Sequence, residues 1–194
     1  YYGKKSGSFG ELGCFSTHPL KNLNACGDGG FITTNNSLYY KKALEMRNHG
    51  LVDRNKVKSF GFLSRMDVLQ AAILNFRIKN LEKVIAKRRK NAAFYFKNID
   101  RNFYKLIDEK NYQFNTYHTF VLQTKNRDQI IRYLKNNGIQ TAIHYPIPIH
   151  LQPAAKYLGY KKGSFPETER QSKSILTIPI HQNLKERELS KIVY

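Results

Sequence analysis

Cysteine is nearly absent: Cys14 and Cys26 are the only two among 194 residues. Two are too few for a disulfide framework, and their spacing matches no zinc pattern, so a reduced, cytoplasmic setting is expected. Long apolar runs are missing as well. Nothing approaches the roughly 18 consecutive apolar residues of a membrane span, and no signal-peptide pattern opens the chain, so no membrane association is expected. Acidic residues are scarce, 14 against 33 Lys and Arg, which leaves a formal net charge of +19. Such an excess ordinarily points to nucleic acid or another polyanion. The basic residues are scattered, however, apart from short clusters such as AKRRK (Ala86 to Lys90), and no RNA- or DNA-binding signature accompanies them. A basic nucleic-acid-binding module is thus an alternative that rests on charge and interleaved tyrosines alone. There is no serine or cysteine triad, P-loop or dinucleotide fingerprint. His144 and His150 lack a third ligand, so no metal site is expected.

What remains is the composition of a globular protein, with 41% hydrophobic and 13% aromatic residues. ELGCFS and GGFITT read as short buried strands punctuated by glycine, with Cys14 in the core. A helix is expected from Ser37 to about His49, capped by Asn36 or Ser37 and ended by Gly50. From Met66 the 34 residues to Ile99 contain neither glycine nor proline. Leu69, Ile73, Phe76, Leu81, Val84 and Ile85 recur there at helical spacing, which predicts one long helix or two with a bend near Asn80. The domain boundary is placed within it, giving residues 1–78 and 79–194. The second part reads as a small α/β unit: strands at YHTFVLQ and IQTAIHY, a helix RDQIIRYLKNN ended by Gly138, a proline-rich loop, a helix near Pro166, a strand ILTIPI and a last helix from about Lys185. The chain opens on Tyr1 rather than methionine and stops within a helical pattern at Tyr194, so a fragment is expected.

The functional signal lies in an ordered set: Ser16, Lys21, the Gly27–Gly30 turn, RNHG (Arg47 to Gly50), SRMDVLQAAIL (Ser64 to Leu74) and HYPIPIHLQP (His144 to Pro153). Taken singly, each is weak; Gly-Asp-Gly-Gly alone could be a hairpin turn. Together they resemble the DegT/DnrJ/EryC1/StrS family of sugar aminotransferases over essentially the whole chain. The resemblance implies an α/β, aspartate-aminotransferase-like fold (pyridoxal-phosphate fold type I), here the end of the large domain plus the small C-terminal domain, with roughly as much sequence again upstream. It also implies pyridoxal phosphate as cofactor and a homodimer with active sites at the subunit interface. The reaction would carry an amino group from an amino acid, by family habit glutamate, to a nucleotide-diphosphate-linked keto-sugar. HYPIPIHLQP looks more like the 3-keto-sugar enzymes than the 4-keto ones.

Residue by residue, Lys21 falls where the family places the lysine that carries the cofactor, since only an amine can condense with its aldehyde and be displaced by the substrate amine. Ser16 falls where a serine hydroxyl binds the cofactor phosphate. Tyr145 and His150, on a loop stiffened by prolines, are expected to line the substrate side. Some relatives are dehydratases with histidine in place of the lysine, and Lys21 argues against that reading. One departure stands out. The family usually has asparagine, reaching the partner's cofactor phosphate, where this chain has Leu63, and leucine donates no hydrogen bond. A catalytically impaired member is therefore a further alternative.

Overall fold

Asn36 opens the first helix, α1 (Ser37–Met46), as a capping residue: its side-chain oxygen accepts from the N–H groups of Leu38 at 2.9 Å and Tyr39 at 3.3 Å, satisfying donors that the first turn leaves without partners. The helix stops at Met46, short of the expected His49. The Met46 carbonyl accepts from Phe62 N–H at 2.7 Å instead of continuing the helical ladder, and His49 N–H donates to Phe62 O at 3.0 Å. His49 and Gly50 take left-handed φ values of 59° and 74°. At Gly50 a Cβ would lie 1.5 Å from Ser59 O, so no side chain fits there.

A computed structural model describes residues 1–193. The chain divides into two units: Tyr1–Val84 with Lys110–Phe114, and Ile85–Glu109 with Asn115–Tyr194. In the first, β1 (Gly13–Ser16) pairs antiparallel with β2 (Gly30–Thr33), Ser16 opposite Gly30. Phe15 and Phe31, also opposite, stack with centroids 4.8 Å apart. Contrary to the sequence expectation, all of β2 is exposed within this chain and so is Cys14, while in β1 Gly13 is buried and Phe15 half-buried. β-branched and aromatic residues report that a strand forms, not what covers it. The glycine-free run forms two helices, α2 (Val68–Ile78) and α3 (Leu81–Asn98), parting beside Asn80.

The second unit holds a three-stranded antiparallel sheet in the order β3 (Lys105–Leu106), β4 (Phe120–Gln123), β5 (Ile175–Ile178). Helices α4 (Arg127–Asn136), α5 (Pro166–Ser174) and α6 (Glu186–Val193) fall where the sequence placed them. IQTAIHY does not become a strand. It makes one isolated bridge, Ala142 with Thr177, because Pro146 and Pro148 follow closely and offer no N–H to a ladder. The core joins Ala92 and Tyr95 of α3, Ile99 just past its end, Leu134 of α4 and Leu189 of α6 to Phe120, Leu122, Leu176 and Ile178 of the sheet.

One face of α3 fastens a chain segment through polar groups spaced three and four residues apart. Arg88 donates to Gln182 Oε1 at 3.1 Å, Asn91 to His181 O at 2.9 Å and Tyr95 to Pro179 O at 2.7 Å. Arg88 is buried, also donates to the Tyr117 and His118 carbonyls, and has its pKa lowered by that burial. Next to it, Arg89 grips Glu109 through two bonds of 2.8 and 3.0 Å, which lowers the carboxyl's pKa and raises the guanidinium's. Two charges of the AKRRK cluster are therefore spent inside the unit rather than offered to a polyanion.

Candidate functional site

The residues between β1 and β2 form a loop that doubles back on itself. Thr17 N–H donates to Gly29 O at 2.8 Å, continuing the strand pairing, and Ala25 N–H donates to Thr17 O at 2.7 Å. Inside this frame, Lys21 N–H donates to His18 O at 2.9 Å. That closes a four-residue turn whose second position is Pro19, the residue type that presets the required φ. Asn24 Nδ2 bonds Pro19 O at 2.6 Å. Lys21, half-buried, thus stands at the end of a proline-initiated turn.

Helix α2 braces the loop from outside. Arg77 Nη1 donates to Asn24 O, Asn24 Oδ1 and Ala25 O at 2.8, 3.0 and 3.2 Å, and its Nη2 lies 3.7 Å from Cys26 Sγ. A guanidinium suits this task because its planar fork presents several donors at once. Gln70 Oε1 accepts from Cys26 N–H at 2.8 Å. The Gly-Asp-Gly-Gly segment is not a tight hairpin turn but the return arm of the loop. A Cβ on Gly30 would meet Phe15 O at 2.6 Å, and one on Gly29 would meet Thr17 Oγ1 at 2.8 Å.

Two hydroxyls lie at the loop's entrance. Ser16, exposed at the end of β1, accepts from His18 N–H at 3.3 Å. Thr17 is fully buried, and its Oγ1 has no hydrogen-bond partner. A buried hydroxyl without a partner is costly. An orphaned donor beside an exposed serine, a few residues from a lysine amine, fits a phosphate-bearing aldehyde cofactor. His18 Nε2 lies 3.9 Å from Asp28 Oδ1 across the loop. Among the described residues no group of three or more His, Cys, Asp or Glu could hold a metal, and no helix is long and apolar enough to cross a membrane.

Ser16 and Lys21 belong to the first unit, Tyr145 and His150 to the second. Tyr145 is 72% exposed, whereas His150 is buried, with Nε2 3.0 Å from Glu169 Oε1 and its ring against Phe165. Leu63 is exposed and bridges Asn48 through its backbone. Thr17, Gln70, Arg77 and Glu169 were not singled out by the sequence. Gln70 and Arg77 fit the polar positions of an amphipathic helix, and nothing local marks them as loop anchors.

The chain as a whole is similar to several known proteins. The chain is 37% identical to a dTDP-3-amino-3,6-dideoxy-alpha-D-galactopyranose transaminase of Aneurinibacillus thermoaerophilus, over 100% of this chain and 53% of that protein. DesV of S. venezuelae superposes with a TM-score of 0.93 at 29% identity, over 100% of this chain and 52% of DesV. NtdA of Bacillus subtilis, solved with bound cofactor PMP, has a TM-score of 0.87 at 28% identity, over 98% of this chain and 46% of NtdA. The chain spans about half the length of the curated relatives it matches. The α/β fold is that of the sugar aminotransferases. A family model matches residues 1–194 throughout, and the chain belongs to the DegT/DnrJ/EryC1/StrS aminotransferase family.

Proposed function

We propose that this chain carries the lysine-bearing part of a pyridoxal-phosphate-dependent aminotransferase. The enzyme moves an amino group from an amino-acid donor, glutamate by family habit, to a nucleotide-diphosphate-linked keto-sugar. Residues 1–78 form the end of its large domain and residues 79–194 its small domain. The observation that carries the reading is the Lys21 loop, a turn-mounted amine that α2 fixes through Gln70 and Arg77. The relative from Aneurinibacillus, a 3-amino-sugar transaminase by name, supports a 3-keto-sugar as acceptor.

Lys21 is the attachment point of the cofactor, and Ser16, with the Thr17 hydroxyl next to it, holds its phosphate. When bound, pyridoxal phosphate supplies an electron sink that stabilises negative charge at the carbon beside the transferred nitrogen. Lys21 Nζ takes the proton from the donor carbon that bears the amino group and delivers one to the sugar carbon that receives it. The bonds from α2 keep the amine's turn in place, because a general base must stay within hydrogen-bond reach of the proton it moves. Reduction of the full-length, cofactor-loaded enzyme with borohydride, followed by peptide mapping, tests this reading.

Tyr145 contacts the sugar nucleotide; His150, which the sequence also placed on the substrate side, is instead buried against Phe165 and Glu169 and keeps that loop in shape. His150→Ala is expected to raise the apparent KM for the sugar nucleotide, measured by steady-state kinetics, and an unchanged KM would sink this assignment. The working enzyme is a homodimer. No residue of α2 is buried, and its Val68, Leu69 and Phe76 side chains are 85%, 69% and 71% exposed, an apolar face suited to a second subunit. A fully active monomer in light scattering would refute the dimer. Cys14 and Cys26 are both free, which supports a cytoplasmic setting.

A further inference from the structure

Residues 145–149 carry three large apolar side chains that nothing encloses: Tyr145 is 72% exposed, Ile147 50% and Ile149 83%. Their placement depends on how the two ends of the segment are held. At the leading end, His144 Nδ1 lies 3.0 Å from Thr177 Oγ1, and Ala142 exchanges two backbone bonds with Thr177, at 3.0 and 2.8 Å. At the trailing end, His150 is 6% exposed and its Nε2 lies 3.0 Å from Glu169 Oε1. The same carboxylate oxygen accepts the N–H groups of Gly163 at 2.7 Å and Phe165 at 3.4 Å. The Phe165 ring packs edge-on against the His150 ring, centroids 4.8 Å apart, and against Tyr160 at 5.0 Å.

Glu169 differs from Glu167 on the same helix. Glu167, two residues earlier, pairs with Arg170 at the surface with both side chains more than half exposed, whereas the Glu169 side chain is 12% exposed. Burial pushes the Glu169 carboxyl up. The bonds from His150, Gly163 and Phe165 outweigh it and leave the group below its ordinary value. A carboxylate is tolerated in such a place only when donors replace the water it has lost. Its location in the first turn of α5 adds the favourable end of the helix dipole.

We propose that Glu169 is a positioning residue for the substrate loop: through His150 it fixes the backbone that displays Tyr145, Ile147 and Ile149 to the sugar nucleotide. This rests on the reading of that loop as the sugar-nucleotide contact. The prolines at 146 and 148 stiffen the segment between its anchors, so releasing one end displaces the whole strip rather than fraying one residue.

The test uses the full-length enzyme with Glu169→Ala, Glu169→Gln and Glu169→Asp. Three quantities are read: KM and kcat for the sugar nucleotide, the Kd of UDP-N-acetylglucosamine as a non-reacting probe, and tryptic cleavage after Lys161 and Lys162. Glu169→Ala is expected to raise KM and Kd about tenfold, with kcat changed less than about twofold, as a displaced binding loop predicts, and to speed the cleavage. Glu169→Gln keeps an oxygen that accepts the same three donors and should restore all three readouts. Glu169→Asp keeps the charge but loses the reach, and should behave like the alanine variant if that one fails to fold. An unmoved KM and Kd in the Ala and Asp variants overturns the proposal even where cleavage accelerates. Damage in Glu169→Gln equal to that in Glu169→Ala overturns it too. A wild-type enzyme that neither binds the probe nor turns over a nucleotide sugar defeats the functional reading first, an outcome distinct from wild-type binding that the variants leave untouched.

Discussion

Replacing Lys21 by alanine is expected to abolish covalent capture of pyridoxal phosphate and to lower transamination by about a thousandfold or more, because attachment and proton transfer are lost together. In the full-length wild type, the loaded enzyme should be yellow. Borohydride should then fix the cofactor to the peptide HPLKNLNACG. In the variant the label should vanish from that peptide and appear on no other. The neighbouring lysines are poor substitutes for reasons of geometry. Lys42 Nζ, on α1, is already bonded to Ser59 Oγ at 3.0 Å and Glu45 Oε1 at 3.2 Å, and the bonds from Ser59 and Lys42 hold the Glu45 carboxyl below its usual pKa. Lys41 stands on the same helix, beyond the second strand. Cofactor mapped to any lysine other than Lys21 would refute the assignment. Robust labelling of Lys21 with no turnover would instead favour the catalytically impaired reading that Leu63 raised.

Tyr95→Ala is expected to cost about 3–5 kcal/mol, the range for deleting a buried aromatic side chain, and to lower the urea midpoint of the second unit accordingly. Tyr95 is fully buried. Its ring lies 5.0 Å from Phe120 of β4, and its hydroxyl donates to Pro179 O at 2.7 Å, just beyond β5. Burial also raises the phenol's pKa well above its ordinary value, so the group stays a neutral donor. Tyr95→Phe separates the two contributions. It keeps the ring packing and strands one carbonyl, for an expected cost of about 1–3 kcal/mol. Equal effects of the two substitutions, measured by denaturant unfolding, would show that the hydroxyl rather than the packing dominates.

Much of this protein was legible in the order of its residues. The cap at Asn36, the break beside Asn80, the left-handed Gly138 after α4 and the proline opening α5 each depend on chemistry within a few neighbours, which a sequence states directly. The spacing of Ser16, Lys21 and the glycine turn likewise pointed to a lysine loop between two strands, and the family followed from that ordered set. Tertiary structure alone decided what holds those parts. Gln70 and Arg77 reach the lysine loop across 44 to 53 residues of sequence, and Glu169 reaches His150 across 19. Such partners are selected by where helices pack, and local periodicity carries no record of that choice. Burial was not legible either: Cys14 and β2 are exposed within this chain, because strand propensity says nothing about which layer covers a strand, and IQTAIHY made a single bridge because prolines follow it. Arg88 is the converse case. Nothing local marks this charged residue for burial, and only the fold supplied the carbonyls that accept from it.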